Sequence, residues 1–275
     1  MSQEADLDRA AEAVAAADMM LIGAGAGMGV DSGLPDFRGD QGFWKAYPAL
    51  RGHAFAEMAN PAWFERDPHR AWGFYGHRLN LYRETVPHEG FAILRRWAET
   101  RSAFVFTSNV DGQFQRAGFS GDQVCECHGS IHHLQRLYPD RGGEIWSAEG
   151  TTIVVDERQV RAADPLPRHA DGALLRPNIL MFGDVNWLER RTDVQHGRML
   201  QWAQGLSGSR LVVVEIGAGT AIPSVRGMCE RTARQSGGTL VRINPREAHG
   251  PRGTISLAMG GAEALRAIAA RVDQK

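Results

Sequence analysis

Cysteine is scarce in this chain: 275 residues hold three, Cys125, Cys127 and Cys229. An odd count without disulfide-like spacing excludes a disulfide-stapled scaffold and suits a reducing compartment. Three thiolates also cannot complete a four-cysteine zinc site. One stretch is rich in soft ligands, with Cys125, Cys127, His128, His132 and His133, and offers a competing metal reading. Strand alternation sets Cys125 and Cys127 on one face and His128 on the other, so these groups converge only if the chain turns at Gly129. Buried thiols beside a polar turn are therefore the expectation, with no metal.

Excess charge is lacking too. A balance of 31 basic against 32 acidic residues leaves a formal net charge of −1, which argues against bulk binding to nucleic acid or to an anionic membrane. No apolar run approaches the length of a membrane span, and Met1–Arg9 is acidic where a leader would be basic. The expectation is a soluble, cytoplasmic protein with neither nucleic-acid nor membrane partners. Internal repeats are absent. A length of 275 residues is nevertheless enough for one sizeable core, or one core plus a lobe inserted into it, and a hydrophobic content of 43% is that of an ordinary globular protein.

What is present alternates. Glu4–Ala17 reads as an alanine-rich helix, Met19–Gly23 and Ala103–Thr107 as strands, and Leu211–Ile216 and Thr239–Asn244 as strands buried on both faces. Helical patterns occupy Val194–Leu206, Val225–Ser236 and Gly261–Val272. Such alternation predicts an α/β fold with an open parallel, Rossmann-type sheet. Two stretches break the pattern. Residues 43–100 carry helical runs, including His69–Glu84, and residues 131–176 are rich in Gly, Pro and charge, with a short β-like run at Thr151–Val155. The reading assigns 1–42, 101–130 and 177–275 to the sheet domain and both insertions to a small lobe.

The most informative stretch is Met19–Gly39, where an apolar strand runs into Gly23, Gly25, Gly27 and Gly29, then Pro35-Asp36-Phe37-Arg38-Gly39. Missing Cβ atoms let backbone approach a bulky anion, and free N–H groups would point at its oxygens. The G-x-G-x-x-G dinucleotide spacing is not completed at any register. Four polar clusters follow predicted strands: the glycine turn, Thr107–Asp111, Gly217–Pro223 and Asn244–Pro245. In an open parallel sheet they share one rim, where ligands collect.

Several side chains invite chemistry. His128 ends a short strand, precedes a glycine and titrates near neutrality, which suits a general base; a structural histidine is the alternative. Asn109 and Asp111 lie two apart after a strand, so both can face the cleft, or both can serve a turn. Arg38 has the planar fork for phosphate, or pairs with Asp36 at the surface. Tyr75 and Arg78 are three apart on a helix and share a face, either as a binding pair or as one side of an amphipathic helix.

Five segments together resemble the sirtuin family of NAD-dependent protein deacylases: the glycine stretch, Thr107-Ser108-Asn109-Val110-Asp111, Glu126-Cys127-His128-Gly129-Ser130, Arg176-Pro177-Asn178-Ile179-Leu180-Met181-Phe182-Gly183-Asp184, and Gly217-Ala218-Gly219-Thr220-Ala221-Ile222-Pro223 with Ile243-Asn244-Pro245. The likeness spans about Met19 to Ala270. It implies NAD as cofactor, acylated lysine side chains as substrates, and release of nicotinamide and O-acyl-ADP-ribose. It makes His128 the base, with Asn109 and Asp111 orienting the nicotinamide ribose and carboxamide. Gly25, Ala26, Gly27, Asp36, Phe37, Arg38, Ser108, Gly217, Gly219, Thr220 and Asn244 become the cofactor set, with Asn244 on the adenosine ribose. Phe182, Gly183 and Asp184 resemble the segment along which a peptide lies as an added strand. Tyr75 and Arg78 resemble the Tyr-x-x-Arg of members that accept acidic acyl groups such as succinyl.

The chain also departs from that family. Ser108 stands where the family has Gln, Gly29 and Gly219 where hydroxyl residues are usual, and Asp184 where Glu is common; Ser32 and Thr220 are the candidate replacements for the lost hydroxyls. Arg136 and Pro139 occupy the places of the first zinc-binding cysteine pair. These departures keep open NAD glycohydrolase or ADP-ribosyltransferase activity, and a non-catalytic NAD or ADP-ribose sensor, beside the deacylase reading.

Overall fold

In the computed structural model, which describes residues 2–36, 43, 45–140 and 142–274, the strands in chain order are β1 (Met19–Ala24), β2 (Ser102–Thr107), β3 (Val124–Glu126), β4 (Gly129–Arg136), β5 (Trp146–Ser147), β6 (Val155–Asp156), β7 (Arg161–Ala162), β8 (Leu175–Ile179), β9 (Leu211–Ile216), β10 (Thr239–Ile243) and β11 (Ile255–Leu257). Six of them form a parallel sheet in the order β11-β10-β9-β1-β2-β3. The chain builds outward from β1 in one direction, then returns to build outward from β9 in the other. The order therefore reverses between β1 and β9, the place where such sheets open a crevice for ligands.

Period-two alternation explains why these apolar runs became central strands. Met20, Ile22 and Ala24 of β1 join Leu7 and Val14 of the Gln3–Ala16 helix, Phe91, Leu94 and Trp97 of the Glu89–Glu99 helix, and Leu265 and Ile268 of the Gly261–Val272 helix. Met19 and Leu21 face the other way, onto Met199, Val225 and Cys229. Both faces are covered, so each fully buried Leu, Ile or Phe contributes about 1.5–3 kcal/mol.

A second, antiparallel sheet of order β5-β4-β8 and the β6–β7 hairpin pack with the Pro68–Glu84 helix around an aromatic core that includes Phe43, Phe64, Trp72, Phe74 and Tyr75. Arg83 ties this lobe together by donating to the carbonyls of Thr151 at 2.6 Å and Ala148 at 2.7 Å.

Four expectations are corrected here. The Glu89–Glu99 helix lies in the 43–100 stretch yet packs under the main sheet, because Phe91, Leu94 and Trp97 form one apolar stripe. The boundary expected at 177 falls inside β8, which pairs with β4 as far as Ile179. The run at Thr151–Val155 pairs only from Val155, since Arg83 holds the preceding loop by its carbonyls. The expected Val194–Leu206 helix starts earlier, at Arg190, and its last turn, Gln204–Leu206, is a tighter 3-10 turn.

One ion cluster locks the register of β9 and β10. Arg242 sits opposite Glu215 and donates to it through Nε at 2.6 Å and Nη2 at 2.8 Å, while Nη2 also reaches Glu230 at 2.7 Å. Arg242 and Glu215 are buried. Arg242→Met should therefore strand two carboxylates and cost about 3–5 kcal/mol in urea unfolding at neutral pH. A loss below about 1 kcal/mol would contradict this.

Candidate functional site

Register places the site. Ala24 is level with Thr107 and with Ile216, and Ile216 with Ile243, so Gly25, Ser108, Gly217 and Asn244 emerge side by side at the carboxyl edge. At the centre, two turns touch backbone to backbone. A Cβ on Gly25 would lie 2.6 Å from Ala218 Cα, and one on Gly27 2.7 Å from Gly217 Cα. Gly217 itself has φ +63°, a conformation that glycine adopts without strain.

The amides of this turn are used differently from the sequence expectation. Gly25 N–H donates to Ile216 O at 3.0 Å and Gly27 N–H to Gly217 O at 3.0 Å, so neither is free for an anion. Ala26 N–H, at the start of the Ala26–Ser32 3-10 turn, has no acceptor among the described residues. The glycines serve close approach, and the anion-facing donor left between them is Ala26. That arrangement fits a pyrophosphate, because Ala26, the one exposed residue of Gly25-Ala26-Gly27, keeps its N–H unspent at the edge where the strand order reverses.

Asn109 joins this turn to β2. Its Nδ2 donates to Gly25 O at 3.0 Å, and its own N–H donates to Thr107 Oγ1 at 3.0 Å. Asp111 lies deeper, 9% exposed, and its Oδ1 accepts from Gln113 N–H at 2.9 Å. Burial, helped by the charge of Glu126, pushes its carboxyl up to about 6, against the pull of the Gln113 amide. Asn109 thus sits at the rim and Asp111 beneath it.

His128 occupies the junction of the two sheets. Cys127 N–H donates to Thr107 O at 2.9 Å, and His128 O accepts from Leu180 N–H at 2.9 Å, so both neighbours of the ring are pinned. The reversal into β4 passes through Gly129 at φ +80°, where any Cβ would collide with the Asn178 carbonyl. Its Nε2 meets Ser224 Oγ at 3.3 Å, and a main-chain hydrogen bond to Ser108 favours the protonated ring. Burial outweighs that bond and draws the pKa below the ordinary value, leaving the ring neutral at pH 7. It can accept a proton. Ser224, the first residue of the Ser224–Ser236 helix, was missed in the sequence, where it follows Pro223 without any pattern of its own.

The remaining cofactor-side residues divide. Asp36 pairs with Arg246 at 2.9 Å, bridging the ends of two rim loops. Phe37 and Arg38 lie outside the described residues. Ser108 and Gly219 are half-buried on the rim. Thr220 Oγ1 donates to Glu247 at 2.6 Å, and Ser32 Oγ accepts from His88 N–H at 2.9 Å, so both candidate hydroxyl replacements are engaged elsewhere. Asn244 is 0% exposed; its Nδ2 donates to Ala218 O and its Oδ1 accepts from Arg246 and Glu247 amides. Its side chain braces the loop that follows β10.

On the substrate side, Phe182 is 41% exposed, and its N–H donates to Ala59 O at 2.8 Å. Gly183 follows at φ +69°. Asp184 turns inward. Both its oxygens receive the Arg176 guanidinium, at 2.7 and 2.9 Å, and both side chains are 0% exposed. Asp184 therefore pins the turn beneath Phe182 and Gly183 and does not face a peptide. Tyr75 and Arg78 do share a face, as expected, but inside the lobe: the Arg78 guanidinium lies 5.6 Å from the Tyr75 ring centre and 5.2 Å from that of Phe74, and its Nε donates to Tyr82 Oη at 3.0 Å.

Among the described residues, no three His, Cys, Asp or Glu side chains group as metal ligands, and no helix is long and apolar enough to cross a membrane. Burial pushes the thiols of Cys125 and Cys127 up to about 12 and that of Cys229 well above its ordinary value, so all three stay protonated.

A family model described as the Sir2 family matches residues 25–201. An NAD-dependent protein deacetylase from Saccharolobus solfataricus is 27% identical over 243 residues, covering 87% of this chain and 86% of its own. Another from Haloarcula marismortui is 31% identical over 255 residues, 88% of this chain and 86% of that protein. A crystal structure of a Sir2 homologue in complex with NAD superposes with a TM-score of 0.68 at 24% identity, over 97% of this chain and 93% of the other, a likeness of fold.

The burial of Asp111 yields a sign that can be measured. Its folded pKa lies above the unfolded one, so its contribution to stability is fully present below pH about 4 and is lost as pH rises through about 6. Asp111→Asn removes that dependence while keeping an oxygen for Gln113. Relative to the parent, the variant should gain on the order of 3 kcal/mol between pH 4 and pH 8 in chemical denaturation. A pH-independent difference would refute the assignment.

Proposed function

The chain belongs to the Sir2 family, and from that premise we propose that it is an NAD-dependent protein lysine deacylase acting on acylated lysine side chains of proteins or peptides. One observation carries the reading: a neutral, pinned imidazole stands where the loops of β1, β2 and β9 converge on a crevice whose floor is bare backbone.

NAD, when bound, supplies an electrophilic ribose carbon and leaves nicotinamide. The protein's part is positioning and proton transfer. Gly25, Gly27 and Gly217 let the two turns close against each other by lacking Cβ atoms, which leaves Ala26 N–H to donate to the pyrophosphate; Asp36 is assigned to the phosphate and ribose, together with Phe37 and Arg38, which lie outside the described residues. Asn109 orients the nicotinamide ribose, and Asp111, ionised above pH about 6, accepts from the carboxamide. His128 takes a proton from a ribose hydroxyl through Nε2, the nitrogen that faces Ser224. Asn244 acts through the loop it braces. The low-dielectric roof of the small lobe keeps water from the reacting carbon.

For the substrate, the exposed Phe182–Gly183 edge accepts the peptide main chain, with Asp184 holding it from beneath. Tyr75 and Arg78 place a hydroxyl and a guanidinium within the lobe, which supports an acidic acyl group such as succinyl over acetyl. Ser108, shorter than the glutamine usual there, and Gly29 and Gly219, without hydroxyls, favour a second reading: NAD hydrolysis or ADP-ribosyl transfer from the same site. A pure NAD sensor would have no use for His128 as a base. The three unpaired thiols suit the cytoplasm as compartment.

Mass spectrometry of products from NAD with acetyl- and succinyl-lysine peptides tests these readings. O-acyl-ADP-ribose formed in step with free lysine is expected; free or protein-bound ADP-ribose would favour the second reading. His128→Ala should lower turnover by about 10²–10⁴-fold, and the parent rate should fall with acidification only below pH about 6.5. Arg78→Met should reduce the succinyl-to-acetyl ratio by about 10–100-fold, and an unchanged ratio rules out the acidic-acyl pocket.

A further inference from the structure

We propose that a cleft outside the dinucleotide crevice, between the Arg190–Ala203 helix, the β3 edge of the main sheet and the small lobe, is a second binding site for a small molecule bearing a phosphate or diphosphate. The cleft encloses about 540 Å³, within the range of small-ligand sites. Its walls carry Arg190, Arg191, Arg198 and His133, with Val194 and Ile145 as apolar surface. None of these residues belongs to the rim at β1, β2, β9 and β10.

Charge defines the ligand. Three guanidiniums line the cleft against one lining carboxylate, Asp122, which meets Arg198 at 3.1 Å with both side chains well exposed. Such a surface pair exchanges readily for a better anion. Arg190 Nη1 donates at 3.1 Å to the uncharged carbonyl of Gly142, so its charge is not cancelled there. Arg191 gives Nη2 to the buried carboxylate of Glu126, while its Nη1 is buried without an acceptor among the described residues. His133 Nδ1 is likewise buried and unmatched. Burial, with Arg191 beside it, pushes the His133 pKa down to about 4, so the ring adds no charge. Arg190, which faces only a neutral carbonyl, and Arg198, held by an exposed and exchangeable pair, match an oxyanion with several acceptor oxygens, and arginine forks suit phosphate. The apolar walls leave room for an organic body.

Occupancy would be felt at the crevice. Glu126, the counter-ion of Arg191, lies two residues before His128, and its charge acts on Asp111. A second anion drawing Arg191 away would leave Glu126 less neutralised and hold Asp111 protonated to higher pH.

The test uses the full chain saturated with ADP-ribose, so that the dinucleotide crevice is filled, and titrates it with pyrophosphate by calorimetry at fixed ionic strength. One equivalent should bind, at least tenfold more weakly in an Arg190→Gln, Arg198→Gln double variant whose ADP-ribose affinity is unchanged. Arg191 is left in place because its loss would strand Glu126. No heat, equal affinity in the double variant, or equal suppression by matched chloride, the mark of an adventitious ion only, would overturn the proposal. ADP-ribose binding is read separately, so a failure there counts against the deacylase reading alone.

Discussion

The site depends on a steric constraint: two turns, one after β1 and one after β9, meet backbone against backbone at Gly25, Gly27 and Gly217. The contact lies where the strand order reverses, so it sets the width of the crevice. A methyl group on either side would push the turns apart, and with them Asn109, whose amide grips the Gly25 carbonyl. Hydrogen bonds from Gly25 to Ile216 and from Gly27 to Gly217 then weld the contact. The crevice is therefore shaped by strand register and by missing side chains, before any polar group is considered.

Polar groups around it sort into those that face the crevice and those that hold the scaffold. His128, Asn109 and the Ala26 amide stand at the surface of the rim. The side chains of Asn244, Asp184 and Arg176 are buried and spend their hydrogen bonds inside. Asp111 stands between, buried but titrating near 6. Chemistry and architecture thus draw on the same residue types, and only burial separates them.

That division explains what was legible in the sequence. The parallel sheet was readable because Leu211–Ile216 and Met19–Ala24 are apolar on both faces, and the rim because each polar cluster follows such a run directly. The small sheet was not. The β4–β8 ladder slips register between Ser130 and Leu134, so the apolar positions of β4 do not alternate. Nor could spacing foretell the direction of a side chain: Asn244 and Asp184 sit where a ligand-facing residue would, yet each is turned inward by backbone amides or by Arg176. The glycine run reads as a set of free donors, whereas in the fold neighbouring carbonyls claim two of them. Tyr75 and Arg78 were placed on one face correctly, because three-residue spacing on a helix depends on little else.

Glu126 has a further consequence. The Arg190–Ala203 helix holds this one residue three ways: Gln195 accepts from its N–H, Thr192 donates to its carbonyl, and Arg191 takes its carboxylate. That helix follows the Phe182–Asp184 segment closely in the chain, and Glu126 ends the strand that delivers His128. Any displacement of the Phe182–Asp184 segment is therefore relayed, through a stiff lever of helix and strand, to the same chassis that carries the imidazole.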